Sequence, residues 1–328
     1  MTTITLQDRR KGALYGQAIG DALGAFYEFS GNLQPGGRAE YKDTPNGWVA
    51  GEWTDDTEQA IVLLKSFVEE PEDKEKVALI IARGFQRWLH ENGKGCGNHT
   101  AAVLTNALYS LEPLGVAKEV WEDSRKTAAP NGGVMRMVGV PLVRPWDEGW
   151  VAIMSELGCR TTHADPRCVA SVVAASNACA SLLRGTDISA AFTIARAGGA
   201  YHEPGIAPYL KPMSLKELDL GGKGIGYTYK CVGAGFWALG EWLRRDQERH
   251  DDRLPSRFES ILNDIIREGG DTDTNACVAG ALMGAHIGFS NLPKGLVDGL
   301  LNTEQLDKLL KTLERTDLEY FDLSRRPA

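Results

Sequence analysis

Two short acidic segments, far apart in the sequence, carry its clearest chemical signal. Residues 51–58 read GEWTDDTE, residues 269–275 read GGDTDTN, and an apolar helical pattern follows each of them. Taken singly, each segment has an ordinary explanation, because Asp55 with Glu58 forms a capping-box pattern and Asp273 can serve as a helix N-cap. A cap needs only one oxygen, however, and each segment offers two carboxylates flanked by threonine hydroxyls. This excess indicates a function beyond helix capping.

Together the two segments provide a set of ligands made only of oxygen atoms. Their four carboxylates belong to Asp55, Asp56, Asp271 and Asp273, and no histidine or cysteine lies beside them in the sequence. Such donors suit a hard cation such as Mg²⁺, Mn²⁺ or Ca²⁺ better than zinc. Four carboxylates brought together repel one another unless cations are bound, and their charge balances two divalent ions. The sequence therefore predicts that the segments converge on a dinuclear metal site.

Two other motifs with closely spaced aspartates do not fit. An EF-hand loop beginning at Asp271 would need glycine at position 276 and glutamate at position 282, where the sequence has Ala276 and Leu282. A phosphatase with an aspartyl nucleophile would place its aspartates after an apolar strand, whereas residues 267–270 (REGG) precede them here.

The elements that must position these residues are predicted to be helices. Apolar residues recur at the helical spacing over long stretches, and the alternation typical of strands is nearly absent. We therefore expect an all-α protein, a compact orthogonal bundle with the metal site at its centre. Asp165 followed by Pro166 is a clear helix start. The predicted helices are 8–27, 56–70, 74–91, 100–110, 133–143, 148–158, 166–184, 187–200, 229–247, 257–268, 274–289 and 303–316.

The chain is predicted to form one domain over residues 1–328. Only residues 201–228, with three prolines and a glycine cluster, have the composition of a long loop, and helical patterns resume after them without a change of composition. We interpret this stretch as a surface excursion from the domain.

Two of the predicted helices carry a stripe of small residues at every fourth position. The first stripe is Gly12, Gly16, Gly20 and Gly24, and the second is Ala276, Gly280, Gly284 and Gly288. Glycine inside a helix costs ~1 kcal/mol relative to alanine, so the stripes must be compensated by packing that brings backbones close together. Both helices are therefore expected in the middle of the bundle.

Composition and charge narrow the class of protein further. The net charge of −8 disfavours nonspecific nucleic-acid binding, and no apolar run reaches the ~18 residues of a membrane span. The N-terminal segment lacks the apolar core of a secretory signal. The six cysteines show no CxxC pair, so we expect reduced, buried thiols in a cytoplasmic protein. We expect the chain to act as a monomer.

Six motifs, in order along residues 10–290, resemble those of the ADP-ribosylhydrolase (ADP-ribosylglycohydrolase) family. They are residues 20–28 (GDALGAFYE), 54–57 (TDDT), 95–98 (GCGN), 131–136 (NGGVMR), 162–163 (TH) and 269–274 (GGDTDT). The resemblance implies an all-α fold with two Mg²⁺ or Mn²⁺ ions, and hydrolysis of the glycosidic bond at ribose C1″ that releases ADP-ribose. It implies as metal ligands Thr54, Asp55, Asp56, Asp271, Asp273 and Thr274.

The resemblance also assigns the remaining site residues. Glu28 is implied as a carboxylate that acts on water or gates the metals, with Asp55 and Asp56 as its catalytic partners. Glycine-rich segments that open predicted helices can present backbone N–H groups to a phosphate. The implied substrate-binding residues are Gly95, Gly97, Asn98, Asn131, Gly132, Gly133, Val134, Met135, His163, Tyr227 and Tyr229.

Two alternatives remain open from the sequence. The same ions could serve a phosphatase acting on ADP-ribose 1″-phosphate, or the chain could be a non-catalytic ADP-ribose-binding or structural protein. The complete set of carboxylates favours an enzyme. The substrate is expected to be a protein or small molecule that carries ADP-ribose, and the acceptor could be arginine, serine, a nucleic acid base or a small metabolite.

Overall fold

Fourteen α-helices and five 3₁₀ segments form the regular structure of the computed structural model, which describes residues 4–29, 33, 34, 36–211, 213–248 and 253–324. The helices are α1 (Leu6–Gly24), α2 (Asp55–Glu69), α3 (Lys74–Glu91), α4 (Asn98–Leu104), α5 (Pro113–Asp123), α6 (Glu148–Arg160), α7 (Pro166–Leu183), α8 (Ile188–His202), α9 (Leu215–Leu218), α10 (Thr228–Gln247), α11 (Leu254–Arg267), α12 (Thr272–Ile287), α13 (Lys294–Asp298) and α14 (Thr303–Ser324). The described residues contain no β-strand, which confirms the all-α prediction.

Helix α12 lies at the centre of the bundle. Its side chains are apolar or small on all sides, and every residue from Thr272 to Ala285 is buried. A helix without a polar face must be surrounded by other elements, and α1, α7, α10 and α11 pack around it. One continuous apolar core joins these helices to α2, α3 and α6, so the chain forms a single compact domain.

The two stripes of small residues face each other between α1 and α12. A Cβ atom built on Gly16 would overlap the carbonyl oxygen of Gly280, and a Cβ built on Gly280 would overlap the carbonyl of Gly16. The same close approach recurs between Gly12 and Gly284. The prediction that both helices sit in the middle and approach neighbouring backbones is confirmed. The last residue of the second stripe, Gly288, lies beyond the end of α12 at φ 77°.

Helix α7 is the described helix long and apolar enough to cross a membrane by length and composition alone. In this fold 83% of its residues are buried within the protein. It begins as predicted, because Asp165 caps the helix through the backbone N–H of Arg167 and Pro166 occupies the first turn.

The predicted helix over 133–143 is wrong. In its place the chain forms two 3₁₀ turns, Asn131–Gly133 and Met137–Gly139. The glycine pair disfavours a helix at the start, and Pro141 cannot donate the hydrogen bond that would continue one. Three other helices differ clearly in extent: α1 ends at Gly24 and continues as a 3₁₀ turn, α4 spans only Asn98–Leu104, and α14 extends to Ser324. Helix α5 is not predicted from the sequence.

The excursion over 201–228 has more structure than its composition indicates. It contains a 3₁₀ segment, Pro204–Leu210, and the short helix α9. Ser214 and Glu217 form a capping box at the start of α9, and Asp219 ends the helix in the left-handed conformation at φ 50°.

Substitution of Gly16 tests the contact between α1 and α12. The Gly16→Ala change should lower the free energy of unfolding by ~1–3 kcal/mol, because the new methyl group overlaps backbone atoms that cannot move aside. Chemical denaturation of the purified variant measures the effect.

Gly295→Ala is the matched control. Gly295 is also helical, but nothing lies within 4 Å of the position its Cβ would take. This variant should be unchanged or stabilised by up to ~1 kcal/mol. Equal stability of the two variants would contradict the close helix packing.

Candidate metal centre and cleft

The end of α1 and the starts of α2 and α12 meet at one point of the fold. Gly24 is packed against the first turn of α12, where a Cβ would overlap the backbone of Asp273. The Thr272 hydroxyl donates to the carbonyl oxygen of Gly24 at 2.8 Å. The close packing of α1 on α12 therefore fixes where the second acidic segment begins.

Asp21 fastens the first acidic segment to α1. Its carboxylate accepts hydrogen bonds from the backbone N–H of Thr54 (2.8 Å), from the N–H of Thr57 (3.0 Å) and from the Thr57 hydroxyl (2.6 Å). These are donors that a residue of the helix itself would ordinarily cap. Because Asp21, on another helix, accepts from these N–H groups, Asp55 and Asp56 are not needed as caps and their carboxylates are available to the site.

The capping explanations for the acidic segments are therefore wrong. Thr54, not Asp55, is the N-cap of α2, and Glu58 instead accepts hydrogen bonds from the side chains of Trp88 and Asn92 at 2.5 Å each. At α12 the N-cap position belongs to Asp271, not Asp273, and its side chain makes no capping bond.

Three of the four predicted carboxylates, those of Asp56, Asp271 and Asp273, converge, and Asp55 lines a cleft together with them. Ligand oxygens of Asp21, Asp56 and Asp273 lie within 4.8 Å of one another, and so do those of Glu28, Asp271 and Asp273. Asp273 belongs to both groups, so the two form one continuous acidic site. The Thr274 hydroxyl donates to Asp56 at 3.3 Å, which links the starts of α2 and α12 directly.

Several oxygens of this site are buried and have no hydrogen-bond partner among the described residues. They are the Thr54 hydroxyl, Oδ2 of Asp56 and Oδ1 of Asp271. A buried oxygen without a partner destabilises the fold. Three such atoms in one acidic cluster fit a site whose oxygens bind hard divalent cations.

Burial and mutual repulsion raise the pKa values of these carboxyl groups. Burial is the larger cause for Glu28, whose pKa rises to about 8, with Asp271 and Asp21 adding to it. Burial likewise raises the pKa of Asp21 to about 6, although the donors from Thr57 and Thr54 oppose the shift. The pKa values of Asp55, Asp56 and Asp273 rise well above the ordinary range for the same two reasons.

A cleft of about 470 Å³ opens over the acidic site. It brings together fourteen of the residues named from the sequence, and all six motifs contribute to it. These are Glu28, Thr54, Asp55, Asp56, Gly95, Gly97, Asn98, Asn131, Gly132, Met135, His163, Asp271, Asp273 and Thr274.

Four residues expected to contact substrate do not line this cleft. The side chain of Val134 is fully buried in the apolar core, and Gly133 packs against Cys159 and Val172. Tyr227 and Tyr229 stack on each other with ring centres 5.2 Å apart, outside the cleft.

Asn131 connects the second glycine segment to the acidic site. Its backbone N–H donates to Gly226 and its side-chain amide donates to Oδ2 of Asp271 at 2.9 Å. Asn131 opens a 3₁₀ turn rather than the expected helix. It orients one of the predicted ligands.

Several residues in and behind the cleft are not singled out by the sequence motifs. Asp21 is fully buried behind the cleft, and an acidic residue between the small residues of a helix is a signal for a buried site. His99 and Thr100 follow the first glycine segment and line the cleft wall. Trp48 also lines the cleft, with the Lys94 ammonium 3.7 Å from its ring centre. Nothing in the spacing of these residues indicated that they meet.

The pKa shifts predict how stability depends on pH and on divalent cations. Each raised pKa means that the folded protein releases its proton at a higher pH than the unfolded chain, so stability is lost as pH rises toward the folded value. Without cations, the melting temperature should fall between pH 6.5 and 8, where Glu28 ionises. Burial lowers the pKa values of four histidines, His99, His163, His202 and His286, and these act in the opposite direction. Their remaining contribution above pH 6.5 is small, because the unfolded chain has already lost about half of these protons at that pH.

Thermal unfolding in EDTA and in Mg²⁺ at the two pH values measures this effect. Mg²⁺ should stabilise the protein more at pH 8 than at pH 6.5, since it neutralises the ionised carboxylates. A melting temperature that rises with pH in EDTA, or that ignores Mg²⁺ at pH 8, would contradict a cation site.

The family model of the ADP-ribosylglycohydrolases matches residues 2–321. The ADP-ribosyl-[dinitrogen reductase] glycohydrolase of Rhodospirillum rubrum is 26% identical, covering 92% of both chains. The ADP-ribosylarginine hydrolase Tri1 of Pseudomonas putida is 27% identical over 93% of this chain and 78% of its own. A solved structure of an ADP-ribosylglycohydrolase-related protein complex superposes with a TM-score of 0.71 at 26% identity, covering 95% of this chain and 98% of that one.

Proposed function

The chain belongs to the ADP-ribosylglycohydrolase family and is a hydrolase of ADP-ribosyl linkages, and on that premise we propose that it acts with two divalent cations, Mg²⁺ or Mn²⁺. We propose that these ions are held by the predicted ligands Thr54, Asp55, Asp56, Asp271, Asp273 and Thr274. The observation that carries the proposal is the convergence of carboxylates from α2 and α12 within 4.8 Å, together with Glu28.

The donor set supports this assignment. Three of the proposed ligands, Thr54, Asp56 and Asp271, each have a buried oxygen without a partner among the described residues. Asp21 differs from them, because both of its oxygens accept hydrogen bonds from the start of α2. Asp21 is therefore assigned to holding α2 in place, behind the ligands.

The reaction is the displacement of the acceptor from ribose C1″ by water. When bound, divalent cations hold the ribose hydroxyls and lower the pKa of a bound water. The oxygen of the attacking water bonds to C1″ as the bond between C1″ and the acceptor breaks. Glu28 lies beside Asp271 and Asp273 at the edge of the cleft, where its carboxylate can take a proton from the water and return it to the leaving acceptor.

The walls of the cleft provide contacts for the rest of ADP-ribose. Backbone N–H groups near Gly95, Gly97 and Gly132 can approach phosphate oxygens because these residues carry no side chain of their own. Lys94 is the one lysine or arginine on the described lining, in a protein of net charge −8. A cleft of about 470 Å³ is within the size range of small-molecule sites.

We further propose that the reaction takes place in the cytoplasm. All six cysteines are unpaired, and five of them are buried, which suits a reducing compartment. The relatives' names indicate ADP-ribosylated proteins as one class of substrate, with arginine as the acceptor for the Pseudomonas protein. We propose a modified protein or small molecule as substrate here, and the assay below determines the acceptor.

Purified protein should be incubated with ADP-ribosylated arginine peptide, ADP-ribosylated serine peptide and ADP-ribose 1″-phosphate, each with Mg²⁺ or with EDTA. Release of ADP-ribose from a peptide only with Mg²⁺ is expected. Release of inorganic phosphate from ADP-ribose 1″-phosphate alone would instead identify a phosphatase. Hydrolysis at full rate in EDTA would overturn the cation proposal.

Two substitutions separate the roles of the acidic residues. Asp56→Asn should reduce both Mg²⁺ affinity and turnover, because it removes a charge from the cation site. Glu28→Gln should lower kcat by ~10²–10⁴ while ADP-ribose still binds, because a proton acceptor is lost but no proposed ligand. Calorimetry with ADP-ribose in Mg²⁺ and steady-state rates give the two readouts.

Asp123→Asn is the matched control, since Asp123 is an exposed aspartate at the end of α5. Its turnover should equal that of the unmodified chain. Full activity of Glu28→Gln would remove this residue from the mechanism.

A further inference from the structure

Arg136 is a fully buried cation behind the wall of the cleft. Its guanidinium packs over the ring of Phe85 at 4.4 Å, and within the described chain no carboxylate lies within ion-pair distance. Burying a charge without a counter-ion is costly. The proposed reaction does not use Arg136 directly, so its place in the fold requires another explanation.

One arm of the guanidinium reaches the metal side of the cleft through Gln59. Arg136 Nη1 donates to Oε1 of Gln59 at 2.7 Å, and Nε2 of Gln59 donates to Oδ2 of Asp55 at 2.9 Å. A guanidinium can only donate hydrogen bonds. It therefore fixes which end of the Gln59 amide faces Asp55, because the reversed amide would place an oxygen against the carboxylate and an N–H₂ group against the cation.

The other arm reaches the substrate side through Thr162. Arg136 Nη2 donates to the Thr162 hydroxyl oxygen. That hydroxyl has one proton, and its other partner is Nδ1 of His163 at 2.7 Å. If Nδ1 carried the ring proton, the hydroxyl would accept from both neighbours and its own proton would have no acceptor among the described residues. The arrangement that uses every donor has the hydroxyl donating to Nδ1, which puts the ring proton of a neutral His163 on Nε2. Burial lowers the pKa of His163 well below its ordinary value, with His99 and Arg136 adding to the effect, so the ring is neutral.

His163 Nε2 is buried and has no partner among the described residues. It lies on the cleft wall beside Gly132, 3.0 Å from the position that a Cβ on Gly132 would occupy. The carbonyl oxygen of Thr162 accepts a hydrogen bond from the Nε2–H of His99 at 3.1 Å, so Thr162 is bonded to both histidines of this wall. A buried N–H that faces a cleft is an unsatisfied donor for a ligand acceptor.

We propose that Arg136 is a positioning residue that orients Asp55 on the metal side and fixes the tautomer of His163 on the substrate side. In this arrangement His163 presents an Nε2–H donor to an acceptor oxygen of the ADP-ribosyl group. The identity of that ligand rests on the proposed function. The arrangement of hydrogen bonds does not, because it belongs to the protein alone.

The Thr162→Val substitution tests the substrate arm. It removes the hydroxyl and preserves the shape of the side chain. Nitrogen NMR of ¹⁵N-histidine-labelled protein, assigned with a His163→Asn variant, should show His163 as the Nε2–H tautomer before the substitution and as a mixture after it. Calorimetry in Mg²⁺ should show ADP-ribose affinity lower by about tenfold, the effect of one hydrogen bond, with Mg²⁺ affinity unchanged.

Thr161→Val is the matched control for this variant. Thr161 is equally buried and is adjacent in sequence, but its hydroxyl donates to the carbonyl of Gly158. It should leave the tautomer of His163 and the ADP-ribose affinity unchanged. If Thr162→Val behaved like Thr161→Val in both measurements, the substrate arm would be refuted.

The Gln59→Leu substitution tests the metal arm. It should lower Mg²⁺ affinity about tenfold, because Asp55 loses its fixed donor, and leave the His163 tautomer in place. Arg136→Lys, which keeps the charge but loses the planar fork, should change both readouts. If Arg136→Lys does not fold, the Gln59 and Thr162 variants still decide each arm separately.

Two results would overturn the proposal outright. One is an Nδ1–H tautomer for His163 in the unmodified protein, and the other is unchanged Mg²⁺ affinity in Gln59→Leu. Failure of the proposed function gives a different pattern, because loss of all hydrolysis and of ADP-ribose binding would leave the tautomer and its response to Thr162→Val as expected.

Discussion

The close contact between the backbones of α1 and α12 determines where the helix ends that form the acidic site lie. Carbonyl groups of Gly16 and Gly280 occupy the space where each other's side chain would stand. At the same interface Gly24 lies against the first turn of α12 and Asp21 holds the first turn of α2. Because the helices approach so closely, the ends of three helices meet at one point, and the residues at those ends form the site.

This arrangement concentrates negative charge in the middle of an apolar bundle. The carboxyl groups of Glu28, Asp56 and Asp273 are buried and close together. Burial is the main cause of their raised pKa values, and mutual repulsion adds to it. A sequence selected only for stability would replace several of them, since proteins accept such local conflicts chiefly at functional sites. The stability needed to hold them comes from the surrounding core, where α12 is buried on every side.

A few buried charged side chains behind the site fix the orientation of the polar groups that surround them. Asp21 satisfies the N-terminal donors of α2, which leaves Asp56 with a free oxygen in the site. Arg136 plays a similar part on the other side, because its donors set the direction of the bonds in Gln59 and Thr162. In both cases a buried charge outside the proposed ligand set determines which atoms of its neighbours face the cleft.

Three features of this protein are predictable from its sequence alone: the helical class, the central pair of glycine-rich helices and the convergence of the acidic segments. These features are local, because a helical period, a stripe of small residues or an excess of carboxylates over capping needs is visible in a short window.

Prediction from the sequence failed where a residue's partners come from distant segments. In place of the helix expected over 133–143, the chain forms 3₁₀ turns near a glycine pair and Pro141. Asn131 instead donates hydrogen bonds to Gly226 and Asp271. Three features depend on contacts between distant segments. Asp21 caps α2 from outside that helix, and Arg136 connects the two walls of the cleft. Tyr227 and Tyr229 lie outside the cleft. A hydrogen bond between residues far apart in the chain depends on where both backbones lie, and no periodicity in either segment records that position.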